Sequence, residues 1–231
     1  MRKKIGLIVA VFLVLAWTVP GMASVNVFVE GAYTDTDLAV YVYANITGDN
    51  ILSAGVKLTY QTSDLTVTSA TKNEDDWYMG DGTTNEAYMD PDTSTPGEVI
   101  IICGKLDSTT GHALDGVSGD RVLLGVIRFS RTGSTMPFSP ILSIDLGKGG
   151  DYDNFVETDG DVLDGTGVTF GTIEVHERGD ANGDGNVNVL DMSTIKYFMV
   201  NGGDYHCWMD CNDDENINVQ DMSCIKYKMT H

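Results

Sequence analysis

Between residues 180 and 229 the chain repeats itself. Asp180-Ala-Asn-Gly-Asp-Gly-Asn-Val-Asn-Val-Leu-Asp191-Met-Ser-Thr-Ile-Lys-Tyr-Phe-Met199 aligns with Asp210-Cys-Asn-Asp-Asp-Glu-Asn-Ile-Asn-Val-Gln-Asp221-Met-Ser-Cys-Ile-Lys-Tyr-Lys-Met229 at a period of 30 residues, and 13 of the 20 paired positions are identical. Each copy opens with a twelve-residue loop, 180–191 and 210–221. Oxygen-bearing side chains stand at positions 1, 3, 5, 9 and 12 of each: Asp180, Asn182, Asp184, Asn188 and Asp191, then Asp210, Asn212, Asp214, Asn218 and Asp221. A hard cation such as Ca²⁺ takes six to eight oxygens, and the EF-hand type of loop supplies them from these positions together with the backbone carbonyl at position 7. Asn186 and Asn216 hold that place.

The two loops are not equivalent. Position 6 is Gly185 in the first, as a sharp turn prefers, but Glu215 in the second, so two Ca²⁺ sites are expected with the second weaker. Position 12 is Asp in both, a methylene shorter than the usual Glu, so each loop must close tightly. After each loop Met192, Ile195 and Met199, then Met222, Ile225 and Met229, recur at helical spacing, which predicts two helices packed on each other. A core this small needs further support, and metal binding is expected to supply it.

This pair of loop-plus-helix copies, without the entering helix of an ordinary EF-hand, resembles a type I dockerin. The family pattern Gly-Asp-x-Asn-x-Asp-Gly-x-Ile/Val-Asn-x-x-Asp stands here as Gly179-Asp-Ala-Asn-Gly-Asp-Gly-Asn-Val-Asn-Val-Leu-Asp191. Dockerins bind cohesin domains. The resemblance implies contacts at Val189, Leu190, Lys196 and Tyr197 and at their repeats Val219, Gln220, Lys226 and Tyr227. Val-Leu and Val-Gln replace the Ser/Thr common there in cellulosomal dockerins.

From residue 24 to about 175 the texture differs. Alternation in Val25–Val29, Leu38–Ala44, Val56–Tyr60 and Leu65–Val67, apolar runs at Val99–Cys103 and Val122–Phe129, and further strands at Ile141–Leu146 and Val168–Val175 predict an antiparallel β-sandwich. The segments Ser53-Ala-Gly-Val-Lys-Leu-Thr-Tyr60 and Gly119-Asp-Arg-Val-Leu-Leu-Gly-Val-Ile-Arg-Phe129 resemble a cohesin domain, which implies a jelly-roll sandwich. The fold class expected is therefore mainly β: a cohesin-like sandwich over 24–177 and a small α-helical calcium-binding domain over 178–231.

The first 23 residues read as an export signal. Basic Arg2, Lys3 and Lys4 precede an apolar run from Ile5 to Trp17 and a small-residue cleavage pattern at Gly21-Met-Ala23. The run is too short to span a bilayer, so a secreted or cell-surface protein is expected rather than an integral membrane protein. Outside the cytoplasm the four cysteines can oxidise. One local disulfide is expected among Cys207, Cys211 and Cys224, the pair left open, with Cys103 a buried thiol.

A formal charge of −20 argues against nucleic acid as a partner. No carboxylate pair across a cleft, nucleophile motif or histidine spacing points to catalysis, so no enzyme is expected. Trp77, Tyr78 and Tyr88 in a polar stretch are candidates for stacking on sugar rings, or else pin a long loop to the sandwich. The acidic run Asp151, Asp153, Glu157, Asp159, Asp161 and Asp164 could hold another cation, but reads rather as a solvated loop.

The expected function is non-catalytic assembly: a Ca²⁺-dependent dockerin module docking onto a cohesin of another protein or of a second copy of this chain. The setting would be an extracellular polysaccharide-degrading or cell-surface complex of the cellulosome type. The alternative is a carbohydrate-binding sandwich that holds polysaccharide and is tethered through its dockerin. A third reading makes both modules parts of a surface layer.

Overall fold

A computed structural model of the chain describes residues 22–77, 90–104, 116–147, 155–163 and 167–231. The export signal therefore lies, but for its last two residues, outside the described residues, as do Tyr78 and Tyr88.

Nine strands are described: β1 (Ser24–Tyr33), β2 (Asp37–Tyr60), β3 (Leu65–Lys72), β4 (Glu98–Gly104), β5 (Val117–Arg131), β6 (Leu142–Leu146), β7 (Phe155–Glu157), β8 (Val162–Leu163) and β9 (Val168–Glu177). Two helices follow, α1 (Val189–Asn201) and α2 (Val219–Lys228), with a short 3-10 turn at Cys207–Met209 between them. None among the described residues is long and apolar enough to cross a membrane.

The long strand β2 organises the sandwich. Its first half lies between β1 and β5, and its second half pairs β4 and β6. The sequence suggests two strands broken at Gly48-Asp-Asn50, whereas the backbone stays extended through the break. Gly48 takes φ 88, open to glycine, and the register with β5 slips between Ala44 and Ile51, so the strand passes from one layer to the other without a loop. One layer is thus β3-β5-β2-β1-β9; the other is built on the end of β2 with β4 and β6. Between them Val27, Val40, Val42, Val56, Leu58, Ile101, Leu124, Ile127 and Phe129 are buried in one cluster. Each of these side chains stabilises the fold by roughly 1.5–3 kcal/mol on burial. The expectation of a wholly antiparallel sandwich needs one correction: β9 returns beside β1 in parallel, Val25 opposite Val168 and Tyr33 opposite Glu177.

Trp77 belongs to this core. It is fully buried, its indole N–H donates to the Leu123 carbonyl at 3.2 Å, and its amide bonds Asn73. The glycan-stacking expectation fails at this residue, because the ring presents no face to solvent. It pins the segment after β3 to the sandwich instead.

Candidate calcium loops and docking face

The loops at 180–191 and 210–221 fold alike, and the hydrogen bonds show why. In the first, Asp180 accepts from the Asp184 amide at 3.0 Å and the Gly185 amide at 2.8 Å, while Asp191 accepts from the Asn182 amide at 3.1 Å and the Asn188 amide at 2.7 Å. The first and last carboxylates therefore curl the backbone around a common centre. In the second, Asp210 accepts from Asp214 and Glu215, and Asp221 from Cys211 and Asn218. Asn188 and Asn218 also cap the helices that follow: each side chain accepts from the amide two residues on, at 2.8 Å, and Asp191 and Asp221 complete a capping box. Loop and helix are thus one unit, which is why the sequence repeats them together.

Asp180, Asp191, Asp210 and Asp221 are all buried, and among the described residues none forms an ion pair with Lys or Arg. His176 Nδ1 lies 3.5 Å from Asp180. Burial, with repulsion from Asp180 and Asp184, pushes the Asp191 carboxyl above its usual range; burial, with Asp221 nearby, does the same to Asp210. Clustered buried carboxylates without a counter-ion are what a divalent cation relieves, and the donor set is all oxygen. Asp180, Asn182, Asp184, the Asn186 carbonyl and Asp191 would hold a first ion, and Asp210, Asn212, Asp214, the Asn216 carbonyl and Asp221 a second. Asn188 and Asn218 stand at position 9 and donate to the Asn186 and Asn216 carbonyls, both at 3.1 Å. The turn that glycine eases in the first loop, φ 70 at Gly183 and 86 at Gly185, is reproduced in the second by φ 60 at Asp213 and 62 at Glu215. The second loop therefore carries two side chains in the left-handed region.

The helices pack through Ile195 and Ile225, both fully buried, with Met192 and Met222 beside them. Met199 and Met229, expected to complete the stripe, are 39% and 46% exposed. Outward the two copies display Val189, Leu190 and Tyr197 and Val219 and Tyr227, each between 56% and 67% exposed. Lys196, Gln220 and Lys226 are exposed among them. All eight residues implied as partner contacts thus stand on the surface, forming two related apolar patches. Tyr227 is stacked by His231 at 4.2 Å.

The opposite side of the module is occupied, which sequence reasoning missed. Cys207, Trp208 and Met209 are buried with Ala39, Tyr41 and Tyr43 on the outer face of β2. Trp208 sits between His176 at 4.4 Å and His206 at 4.7 Å, and its carbonyl accepts the Gly179 amide. Polar anchors surround this seam. A bulge in β5 gives Arg121 φ 55 and turns its side chain outward. There the guanidinium holds buried Glu30 through two bonds, at 2.7 and 3.0 Å, and donates to the Tyr205 carbonyl at 2.6 Å. His206 Nδ1 is 2.9 Å from the same carboxylate. Burial opposes ionisation of Glu30, but the bonds from His206 and Arg121 outweigh it and hold the carboxyl below its ordinary value. Arg128 and Arg178 both reach Asp213, and Lys228 bridges Glu177 and the Arg178 carbonyl. The signal was present in Leu38-Ala-Val-Tyr-Val-Tyr-Ala44, apolar at every position and so fit for burial on both faces.

Cys211 and Cys224 form a disulfide, which ties loop position 2 to α2; Cys103 and Cys207 are free and buried. Elsewhere Glu157, Asp159 and Asp161 bring carboxylates within 4.8 Å of one another. Glu157 is buried, not solvated as the acidic run suggests, and accepts the Ala23 amide.

No protein-family model matches the chain, and no curated protein matches it. Among solved structures it is similar to the seventh ScaB type I cohesin from Pseudobacteroides cellulosolvens, at 17% identity over 67% of this chain and 93% of that one, with a TM-score of 0.46. A chain of a type I cohesin–dockerin complex from Clostridium thermocellum is similar at 12% identity, covering 67% and 94%, with a TM-score of 0.45. A non-cellulosomal cohesin from Archaeoglobus fulgidus is similar at 16% identity, covering 69% and 96%, with a TM-score of 0.41. The neighbours are cohesin domains, similar to this chain at low sequence identity.

Proposed function

We propose that the chain is an exported, non-catalytic docking protein whose C-terminal module, folded around two Ca²⁺ ions, binds a cohesin domain of another protein. The observation that carries this reading is the pair of exposed patches on α1 and α2, Val189, Leu190 and Tyr197 with Val219 and Tyr227, on the side of the module that its own sandwich leaves uncovered. Large apolar and aromatic side chains flanked by Lys196, Lys226 and Gln220 are the mixture that anchors small protein interfaces. Buried aspartates at both ends of each loop support a role for calcium in shaping that face. The Cys211–Cys224 disulfide supports an oxidising, extracellular setting. The outer face of β1, β2 and β5 already carries the chain's own module, so a second copy's module cannot use that face.

Calorimetric titration of residues 24–231 with a panel of type I cohesins, in calcium and again in EDTA, tests this. The expected result is binding to at least one cohesin in calcium only, weakened at least tenfold by Tyr197→Ala with Tyr227→Ala, about 1.4 kcal/mol. Binding that survives EDTA, or none to any cohesin, overturns it.

A further inference from the structure

The second calcium loop departs from the first in the two places where a sharp turn favours glycine. Gly183 and Gly185 become Asp213 and Glu215, yet the backbone keeps the same left-handed turn, φ 60 and 62. A left-handed conformation disfavours residues with a Cβ, so isolated loop residues would leave it; Asp tolerates it better than Glu. Asp210 holds the turn from inside the loop through the Asp214 and Glu215 amides, and a second hold comes from outside it. Asp213 occupies loop position 4, which contributes no ligand, and its carboxylate points away from the loop centre into a pair of arginines. Arg128 Nη1 reaches it at 2.7 Å and Arg178 Nη1 at 2.8 Å. Arg128 belongs to β5 of the sandwich. Arg178 is 6% exposed at the junction after β9 and extends also toward Asp37, 3.9 Å away. The first loop lacks this grip: Gly183 carries no side chain to be held and lies against the ring of His176, whose Nδ1 is 3.5 Å from Asp180. The loop with the poorer turn residues is the loop that the sandwich grips.

We propose that Arg128 and Arg178 are positioning residues for the second calcium loop, so that calcium binding there and closure of the module on the sandwich stabilise one another. This rests on the calcium reading given above. Arg128, through Asp213, fixes the turn that aims Asp210, Asp214 and the Asn216 carbonyl. The disulfide from Cys211 to Cys224 anchors the other side of the loop to α2. Coupling of this kind is reciprocal: if closure tightens calcium, calcium tightens closure by the same factor. Removing calcium from the second loop therefore loosens the module, while the first loop, which meets β9 through His176 and Asp180, is tied to no sandwich arginine.

The chain carries its own reporter. Cys207 is a free thiol buried in the seam against Tyr41 and Tyr43, and Cys103 is a free thiol buried inside the sandwich. Calcium is titrated into residues 24–231 by calorimetry, and alkylation of the two thiols is followed in calcium and in EDTA. Five proteins are compared: the wild type, Arg128→Ala, Arg128→Lys, Asp213→Asn, chosen because Asn accepts the left-handed turn without the charge, and the double variant Arg128→Ala with Asp213→Asn.

Two calcium sites are expected in the wild type. Arg128→Ala and Asp213→Asn each weaken one of them by about tenfold, within the range of site–site coupling, and leave the other unchanged. Arg128→Ala combined with Asp213→Asn goes no further than Asp213→Asn alone, because that substitution already releases both arginines, and Arg128→Lys recovers part of the loss. EDTA speeds alkylation of Cys207 but not of Cys103. Equal calcium affinities in all five proteins, or a Cys207 rate indifferent to calcium, overturn the coupling while leaving the calcium reading intact. A wild type that binds no calcium overturns both. Should Arg128→Ala fail to fold, Asp213→Asn and Arg128→Lys decide alone.

Discussion

Trp208→Ala is the sharpest test of how the module sits on the sandwich. The indole is 4% exposed, lies between the His176 and His206 rings, and shares its cluster with Tyr41, Tyr43 and Met209. Truncating a buried Trp costs about 3–5 kcal/mol, from lost burial and the cavity left behind. Two of its neighbours are half-exposed histidines, which can relax into the space, so the lower end, about 3 kcal/mol, is expected. The indole joins module to sandwich rather than strand to strand, so its truncation weakens closure. About 3 kcal/mol is roughly a hundredfold in an equilibrium constant. If alkylation proceeds from a briefly opened state, the Cys207 rate rises by about that factor. Cys103, in the core between the layers, should keep its rate. Trp208→Phe, which retains a ring, should recover most of the difference. An unchanged Cys207 rate would refute the packing argument, and a parallel rise at Cys103 would show that the two modules unfold as one.

Two further outcomes follow from the same geometry. Glu30 has its carboxyl held below the ordinary 4.5 by His206 and Arg121 against burial, so its contribution is full above 4.5 and is lost as the pH falls through the lowered value; Cys207 protection, taken as its alkylation rate relative to the unfolded chain at each pH because only the thiolate reacts, should fade on acidification through that window, and a flat ratio would remove Glu30 from the latch. Gly125→Ala would place a Cβ 2.5 Å from the Thr71 carbonyl of β3 and 3.0 Å from Ile101; a loss of about 1–3 kcal/mol in sandwich stability by denaturant unfolding is expected, with calcium binding unaffected.

What could be read in the residues beforehand followed from periodicity. The duplicated loops and their helices are visible because ligand spacing, capping and the buried Ile195 and Ile225 all repeat in register. The strands are visible because their apolar residues either alternate or run on between turn residues. The relations between distant segments were not. Nothing local distinguishes a turn at Gly48 from a strand that bends through it, since glycine serves both. The parallel return of β9 beside β1 depends on where the chain comes back, not on either strand's composition. Trp77, read in a polar stretch, is drawn inward by a hydrogen bond to Leu123, a partner 46 residues away. Cys207, Cys211 and Cys224 were equally plausible partners by spacing, and the fold sets Cys211 beside Cys224 by laying the loop along α2. The grip of Arg128 on Asp213 joins residues 85 apart and leaves a sequence trace only in retrospect, as the replacement of Gly183 by a charged residue in the second copy.

Calcium in the two loops underlies both the docking face and its closure on the sandwich, and equilibrium dialysis that counts bound ions per chain tests it most directly. Two ions are predicted for residues 24–231, one each for Asp191→Asn and Asp221→Asn, and none for the double variant. A folded wild type that binds no calcium would contradict it.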